Sequence, residues 1–319
     1  GCKRNLDLEP LMVLEALRIR CVQDGQGPLP EHKKIAKNIA KSNNCYGAAH
    51  EKRIDWMPKE IKPAQKADMV YFAGCSSSYV HREIAQATVK ILTAAGSNFM
   101  VMHPDEWCCG YPLYSTGQVE QAKKVAQHNI EAVQKSGAKT VLVSCAECYK
   151  TWKVDYPKLF DKSTADMGYN VLHLVEYVEP LLKDGSLNIS NRLEMKATYH
   201  DPCNLGRLSE PWVHWTGKRG KFGSFEPAKE LRRGTYGIYQ PPREILKSIP
   251  GLELVEMVRV RENAWCCGAG GGVWEQFPDF AQWSAGERLE EVKSVGAEAI
   301  VTCCPWCKEN FAQAIDARK

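Results

Sequence analysis

Apolar residues recur at two different spacings along this chain, and the spacing changes near residue 67. Before that point they repeat every three to four residues, which is typical of amphipathic helices. One helix is predicted from Pro10 and a second from Pro30, because proline is favoured in the first turn of a helix. The apolar face of the first helix is formed by Leu11, Leu14 and Leu17. Residues 1–66 are therefore predicted to be a short helical N-terminal segment.

From residue 67 onward, short apolar runs alternate with longer helical patterns. The runs predict six strands, at 69–73, 98–102, 140–144, 195–200, 252–257 and 299–302. Helices are predicted between and after them, near 117–135, 242–249, 278–294 and 307–317. Strands that alternate with helices indicate an α/β fold with parallel sheets. The pattern occurs twice, so we expect an internal duplication with one domain at 67–190 and a second at 191–319.

Composition excludes several classes of protein. Apolar residues make up 44% and charged residues 25% of the 319 positions, which is ordinary for a globular chain. The formal charge of +4 is small and the basic residues are dispersed, so no nucleic-acid partner is expected. No apolar run approaches the roughly 18 residues of a membrane span, and no signal segment opens the chain. We expect a cytoplasmic protein, or one peripheral to a membrane complex. The start at Gly1, without methionine, suggests a processed chain or a piece of a longer one.

Ten of the fourteen cysteines fall into two copies of one pattern. Each copy has a single cysteine, an adjacent pair followed by glycine, and a Cys-x-x-Cys. Residues 110–144 separate the pair from the Cys-x-x-Cys in the first copy, and residues 268–303 do so in the second. The first set is Cys75, Cys108, Cys109, Cys145 and Cys148. The second set is Cys203, Cys266, Cys267, Cys304 and Cys307.

The predicted strands give these cysteines a common location. Cys75, Cys145, Cys203 and Cys304 follow the carboxyl ends of strands, where binding sites gather in open α/β sheets. Each set is therefore expected to converge at one edge of its sheet. The second copy is longer between its first cysteine and its pair, which indicates an insertion at 208–241. This insertion is predicted to be mostly loop and to lie near the rim of the second site.

Thiol chemistry leaves a short choice of explanations. Disulfides are disfavoured because adjacent cysteines strain a bridge and because the chain shows no sign of export. Inert buried cysteines would not repeat at matched spacing. Thiolates select zinc or iron–sulfur clusters, but structural zinc takes four ligands and each set offers five. Iron–sulfur binding is favoured, and a non-catalytic zinc scaffold is the alternative.

The two motifs resemble the cysteine-rich CCG domains of heterodisulfide reductase, which occur in its B and D subunits. The resemblance covers about residues 67–319 and includes the segments around His200–Arg207, Trp265–Gly272 and Thr302–Cys307. It implies that each five-cysteine set holds one noncubane [4Fe-4S] cluster. It also implies that the paired clusters can cleave a disulfide reductively, in the setting of anaerobic metabolism.

Several further residues have an open role. Cys2 occupies the place where relatives similar to the D subunit carry the last ligand of a ferredoxin-type cluster, so it is a possible additional ligand or a bystander. Cys21 and Cys45 have no partner at ligand spacing and are interpreted as structural, and Cys303 as a neighbour of the second site. Possible supporting groups around the second site are His200, Gly268 and Gly270. Insertion residues that suit a substrate, a partner or plain solvent are Trp212, His214, Trp215, Lys218, Arg219, Arg232 and Arg233.

The expected function is that of an iron–sulfur subunit in a heterodisulfide-reductase-like oxidoreductase complex. No flavin or nicotinamide motif is found, so electrons are expected from other subunits that carry ferredoxin-like clusters and flavin. A small disulfide is the expected substrate. The alternative is an electron relay within a larger complex of the benzoyl-CoA reductase or electron-transfer-flavoprotein type.

Overall fold

The structure, a computed structural model, describes residues 9–211, 213–230 and 234–318. Two helices open it, α1 at Pro10–Gln23 and α2 at Pro30–Ser42, followed by a single 3₁₀ turn at His50–Ile54. Both helices carry proline in the first turn, as the sequence predicts. Their bounds agree with the prediction for the N-terminal segment.

The first sheet has four parallel strands in the order β2-β1-β3-β4. They are β1 (Met69–Phe72), β2 (Met100–Val101), β3 (Thr140–Val143) and β4 (Asn170–His173). The main helices around it are α3 (Gly74–Tyr79), α4 (Arg82–Ala94), α5 (Tyr111–Tyr114), α6 (Val119–Ser136), α7 (Ala146–Lys150), α8 (Tyr156–Phe160) and α9 (Leu174–Lys183), with a π turn at Thr151–Asp155. Every residue of β1 is buried, as expected for a strand covered on both faces.

The second sheet repeats the first three strands of this arrangement. It contains β5 (Met195–His200), β8 (Leu252–Val255) and β9 (Ala299–Thr302) in the parallel order β8-β5-β9. Its helices are α10 (Gln240–Lys247), α11 (Val273–Gln276), α12 (Pro278–Ser294) and α13 (Pro305–Asp316), with a 3₁₀ turn at Arg261–Asn263. In both sheets the strand that precedes the single cysteine lies between two other strands. All strands of these two sheets are parallel and alternate with helices, so the predicted α/β fold with parallel sheets is confirmed.

One hydrophobic core joins the two halves. It includes Phe72 and Trp152 from the first half and Leu205 and Phe311 from the second, each at most 2% exposed. Cysteines of both sets belong to the same core. The two sheets are thus packed together with their cysteine-bearing loops on the inside.

Two elements differ from the sequence prediction. Strand β4 was not predicted, and the predicted strand 98–102 is reduced to the two residues of β2. The described part of the insertion holds a small antiparallel hairpin of β6 (Lys218–Arg219) and β7 (Phe225–Glu226) and a 3₁₀ turn, and its other described residues before α10 are loop. Among the described residues, no helix is both long and apolar enough to cross a membrane.

Candidate metal centre

The first five cysteines are brought together by the ends of two neighbouring strands. Cys75 lies in the first turn of α3 after β1, and Cys145 caps the start of α7 after β3. The thiols of Cys75 and Cys108, Cys108 and Cys109, Cys109 and Cys148, and Cys148 and Cys145 are neighbours. All five are buried. The fold therefore brings the five cysteines of the first set together.

The second set forms the same chain of contacts in the other half. Cys203 contacts Cys266, Cys266 contacts Cys267, Cys267 contacts Cys307, and Cys307 contacts Cys304. Cys304 caps α13 as Cys145 caps α7. This group is less enclosed, because Cys203 is half-buried and Cys266 is exposed.

The two groups touch each other. The thiol of Cys145 lies against that of Cys304, and the two residues precede equivalent helices. Ten sulfur atoms therefore form one connected set that crosses the boundary between the halves. This contact was not derivable from spacing, since it depends on how the two sheets pack.

Backbone N–H groups point at one sulfur atom of each cysteine pair. The Gly110 N–H donates to Cys108 Sγ and the Gly268 N–H donates to Cys266 Sγ, each over 3.4 Å. Cys304 stands at the N-terminus of α13, whose partial positive charge stabilises its thiolate. The predicted supporting position of Gly268 is thus matched by an equivalent glycine in the first half.

Neighbouring thiols also shift each other's pKa. Hydrogen bonds from Cys108 and Cys148 lower the pKa of Cys109 to about 6. Hydrogen bonds from Cys145 and Cys307 lower the pKa of Cys304 well below its ordinary value. At least one thiol in each half is therefore held as a ready ligand, because metals bind the deprotonated form.

A buried arginine adds positive charge at the first group. Arg53 Nη2 lies 3.7 Å from Cys75 Sγ, and Arg53 Nη1 bonds Glu106 Oε1 at 2.7 Å. Glu106 in turn accepts hydrogen bonds from the backbone N–H groups of Ala73 and Gly74. Arg53 is 1% exposed, so its charge acts with little solvent screening. No sequence signal had marked this residue.

Two small cavities lie beside the first group. Glu147 and Trp306, from the two Cys-x-x-Cys motifs, line both of them. The first cavity is bounded by the cysteines of the first set, and the second by Tyr111, Ala269 and Gly270 from the loops after the two cysteine pairs. Burial raises the pKa of Glu147 well above its ordinary value, and Cys304 raises it further. The first sulfur group thus borders an enclosed space to which side chains of both halves contribute.

His200 stands beside the second group. One of its ring nitrogens lies within 4.8 Å of the sulfur atoms of Cys267 and Cys307. Arg288 Nε donates to its Nδ1 at 3.3 Å, which leaves the proton of the neutral ring on Nε2. Burial lowers the pKa of His200 to about 3, so the ring is neutral near pH 7. The adjacent Asp201 is paired with Arg243 at 2.7 Å.

The donor set agrees with iron–sulfur clusters. The ten thiols are mostly buried, and backbone N–H groups donate to two of them. Both features suit iron–sulfur clusters, whose sulfur atoms commonly accept hydrogen bonds. Two structural zinc ions would use eight ligands and leave two thiols over. The residues that would hold the clusters are the two five-cysteine sets.

The remaining cysteines have different surroundings. Cys45, interpreted as structural from sequence, contacts Cys75 and Cys108 and lines the first site. Cys21 lines a separate apolar cavity beside α1, and Cys303 lies beside the Tyr199 side chain. Gly270 lies against the first half, where an added Cβ would be 3.2 Å from the Tyr111 hydroxyl. Four residues singled out from sequence lie outside the described residues: Cys2, Trp212, Arg232 and Arg233.

Comparison with known proteins agrees with this geometry. The family described as a cysteine-rich domain (CCG) matches residues 69–153 and 226–312, together more than half of the chain. The chain is 36% identical to the D subunit of the dihydromethanophenazine:CoB–CoM heterodisulfide reductase of Methanosarcina acetivorans, over 96% of this chain and 68% of that protein. It is 29% identical to the B subunit of the fumarate reductase (CoM/CoB) of Methanothermobacter marburgensis, over 99% of this chain and 55% of that protein.

A more distant similarity is to the EtfAB:quinone oxidoreductase of Syntrophomonas wolfei, which is 27% identical over 92% of this chain and 39% of that protein. These relatives share the names reductase and oxidoreductase, although they differ in the electron carriers that those names mention. The chain belongs to the cysteine-rich CCG domain family, as a heterodisulfide-reductase-like oxidoreductase subunit with two copies of that domain.

Proposed function

We propose that this chain holds two noncubane [4Fe-4S] clusters, one on each five-cysteine set, and that the pair cleaves a small disulfide. The observation that carries the proposal is the contact between the thiols of Cys145 and Cys304, which brings the two five-cysteine sets together. A disulfide has two sulfur atoms that must separate, and two adjacent sets offer a centre for each of them. The first set also borders a cavity to which Trp306 of the second half contributes.

The reaction consumes two electrons and two protons and releases two thiols. Two clusters would supply the one-electron steps at adjacent positions. The chain's own residues would position the disulfide: Trp306 offers an apolar surface, and Tyr111 and Glu147 offer polar groups on the facing side. Because these side chains are buried or half-buried, they also keep water away from the sulfur atoms.

Electrons have to come from elsewhere in a complex. Several relatives are named as subunits, which supports partners for this chain. We propose partner subunits that carry ferredoxin-like iron–sulfur clusters and flavin, and a cytoplasmic location, alone or peripheral to a membrane complex. A small disulfide compound is the proposed substrate.

The proposal is tested first by metal content. The chain should be purified or reconstituted without oxygen, and we expect about eight iron and eight sulfide per chain, with broad absorption near roughly 400 nm. Cys109→Ser should remove about half of the iron, and Cys267→Ser should remove the other half. Zinc in a colourless protein would contradict the proposal, and so would loss of all iron from either folded variant.

Disulfide cleavage is tested separately, with a reduced viologen as an artificial electron donor. The loaded wild-type chain should oxidise the viologen when small disulfides are added, and both single-cluster variants should lose at least about 100-fold in rate. If the loaded chain accepts electrons but reduces none of the disulfides offered, it acts as a relay within a larger complex. If it reduces a disulfide equally well with one cluster, the joint action of the two sites is wrong.

A further inference from the structure

The first sulfur group contains a sixth thiol. Cys45 precedes the first predicted strand by more than twenty positions, yet its thiol lies beside both Cys108 and Cys75 in one buried cluster. It is 8% exposed and lines the same cavity as the five cysteines of the first set. The second half contains one cysteine beyond its own set, Cys303, which lies beside the Tyr199 side chain.

The loop that carries Cys45 is fixed in place by hydrogen bonds. The side-chain amide of Asn44 donates to the carbonyls of Ser42 and Ala48, and its oxygen accepts from the N–H groups of Tyr46 and Ala48. Asn38 donates to the Cys45 carbonyl at 3.0 Å. Asn44 itself is fully buried. The thiol is therefore held in one position before any metal binds, which lowers the entropic cost of using it as a ligand.

The same loop is attached directly to the cysteine pair. The carbonyl of Asn43 accepts a hydrogen bond from the Cys108 N–H at 2.7 Å and another from Arg53 Nη2 at 2.9 Å. Arg53 also donates to Cys75 Sγ. One arginine thus connects the Cys45 loop to a ligand of the first set.

We propose that Cys45 is a sixth thiolate ligand of the first metal centre, which makes the two centres chemically different. This inference rests on the proposed function in one respect, that the first set holds an iron–sulfur cluster. The first centre would then have one more coordination position filled by the protein than the second. An exogenous sulfur ligand would bind more readily at the second centre, which is also the more exposed one. The extra negative charge would lower the reduction potential of the first centre relative to a five-thiolate site.

The test compares Cys45→Ala and Cys45→Ser with wild type and with Cys21→Ala, in the full chain loaded with ⁵⁷Fe. Cys21 is a matched control because it is half-buried beside α1 and lines a different cavity. Iron and sulfide per chain should stay near the wild-type value in all variants, because the five-cysteine sets remain. Mössbauer and paramagnetic resonance spectra of one centre should change in both Cys45 variants and stay unchanged in Cys21→Ala.

Added 2-mercaptoethanol provides a second measurement. In Cys45→Ala the added thiol should change the spectrum of one more centre than it does in wild type. The reason is that the coordination position vacated by Cys45 can bind the added thiolate. Spectra of both Cys45 variants that superimpose on wild type, with or without the thiol, would overturn the inference while leaving the cluster assignment intact. A wild-type chain that holds no iron would remove the proposed function and this inference together. Should Cys45→Ala fail to fold, the near-isosteric Cys45→Ser gives the same spectral test.

Discussion

At the scale of single residues, the first centre depends on a backbone that passes very close to a thiol. A Cβ added at Gly74 would lie 2.9 Å from Cys148 Sγ, closer than side-chain atoms normally approach. Gly74 also has φ +77°, a conformation that other residues adopt only with strain. Glycine is therefore required here for two separable reasons, the conformation and the space.

Gly74→Ala should separate these two reasons when it is compared with Gly96→Ala. Gly96 has φ +64° but nothing within 4 Å of an added Cβ, so it carries the strain without the contact. Both variants should lose about 1 kcal/mol of unfolding free energy. Only Gly74→Ala should also lose iron, up to half of the total, measured by metal analysis after identical reconstitution. Equal iron in the two variants would mean that the first site adjusts to the added methyl group.

The residues of the site were predictable where covalent spacing determines them. The ten cysteines repeat at matched intervals, and a strand end brings each set together in the structure. Cys45 and Arg53 were not predictable in this way, because a loop outside the repeat brings them to the first set. Spacing along the chain contains no information about such contacts, which depend on how the N-terminal segment packs.

At the scale of elements, helix α9 is capped by a buried histidine. The Val175 N–H donates to His173 Nδ1 at 3.3 Å, and the His173 N–H donates to Glu176 at 2.9 Å, which completes a capping box. His173 is 2% exposed, and burial lowers the pKa of its ring to about 4. The neutral ring is therefore the form that the folded chain accommodates.

His173 should make the fold sensitive to acid. The pKa of His173 in the folded chain lies below its value near 6.5 in the unfolded chain, so below pH 6.5 the unfolded chain binds a proton that the folded chain does not. The contribution of the neutral ring to the unfolding free energy is therefore present above pH 6.5 and is lost as the pH falls through 4. His173→Asn keeps a capping oxygen but cannot titrate. Between pH 7 and pH 5, wild type should lose about 2 kcal/mol more unfolding free energy than the variant. Urea denaturation of both chains at equal iron loading measures this difference, and parallel pH profiles would contradict the assignment.

Helix α1 illustrates how tertiary contacts override a sequence pattern. Its leucines predict one apolar face, yet Leu14 is 51% and Leu17 is 57% exposed. The buried side chain is Glu15, which lies 3.7 Å from Lys150 Nζ and 3.4 Å from Lys158 Nζ. Ion pairs with another part of the chain therefore determine which side of α1 faces inward. The periodicity predicted the helix and its bounds, but not which side of the helix faces the rest of the chain.

At the scale of the whole molecule, the two halves share a strand order but differ in what surrounds their sulfur groups. The first group is covered by the N-terminal segment through Cys45 and Arg53. The second is bordered by Arg207, which donates to the Ala264 carbonyl at 2.7 Å, and by the insertion that follows. The duplication was predictable from the repeated motifs, whereas this asymmetry arises from the two segments that are not repeated.

The insertion is anchored at its ends and extends outward in its middle. The Ile238 N–H donates to the Leu205 carbonyl at 3.1 Å, which closes the base beside the second group. In the middle, Phe222 is fully exposed and Val213 is 57% exposed. The described stretch 213–230 has four Lys or Arg and two Glu, a net charge of +2. A basic hairpin with an apolar tip suits docking to an acidic partner subunit better than it suits supporting the metal site.

Replacing residues 213–230 by a short Gly/Ser linker should therefore leave iron content and viologen-driven disulfide reduction within about twofold of wild type, because the anchors of the base remain. Assembly into the native complex should be lost, measured by the size of the complex isolated with the tagged chain. Phe222→Ser is the finer variant, and it should weaken assembly without changing the spectra of either centre, because its side chain contacts solvent. If both variants assemble normally, the hairpin has no role in docking. If the deletion causes loss of iron, the hairpin is instead part of the second site.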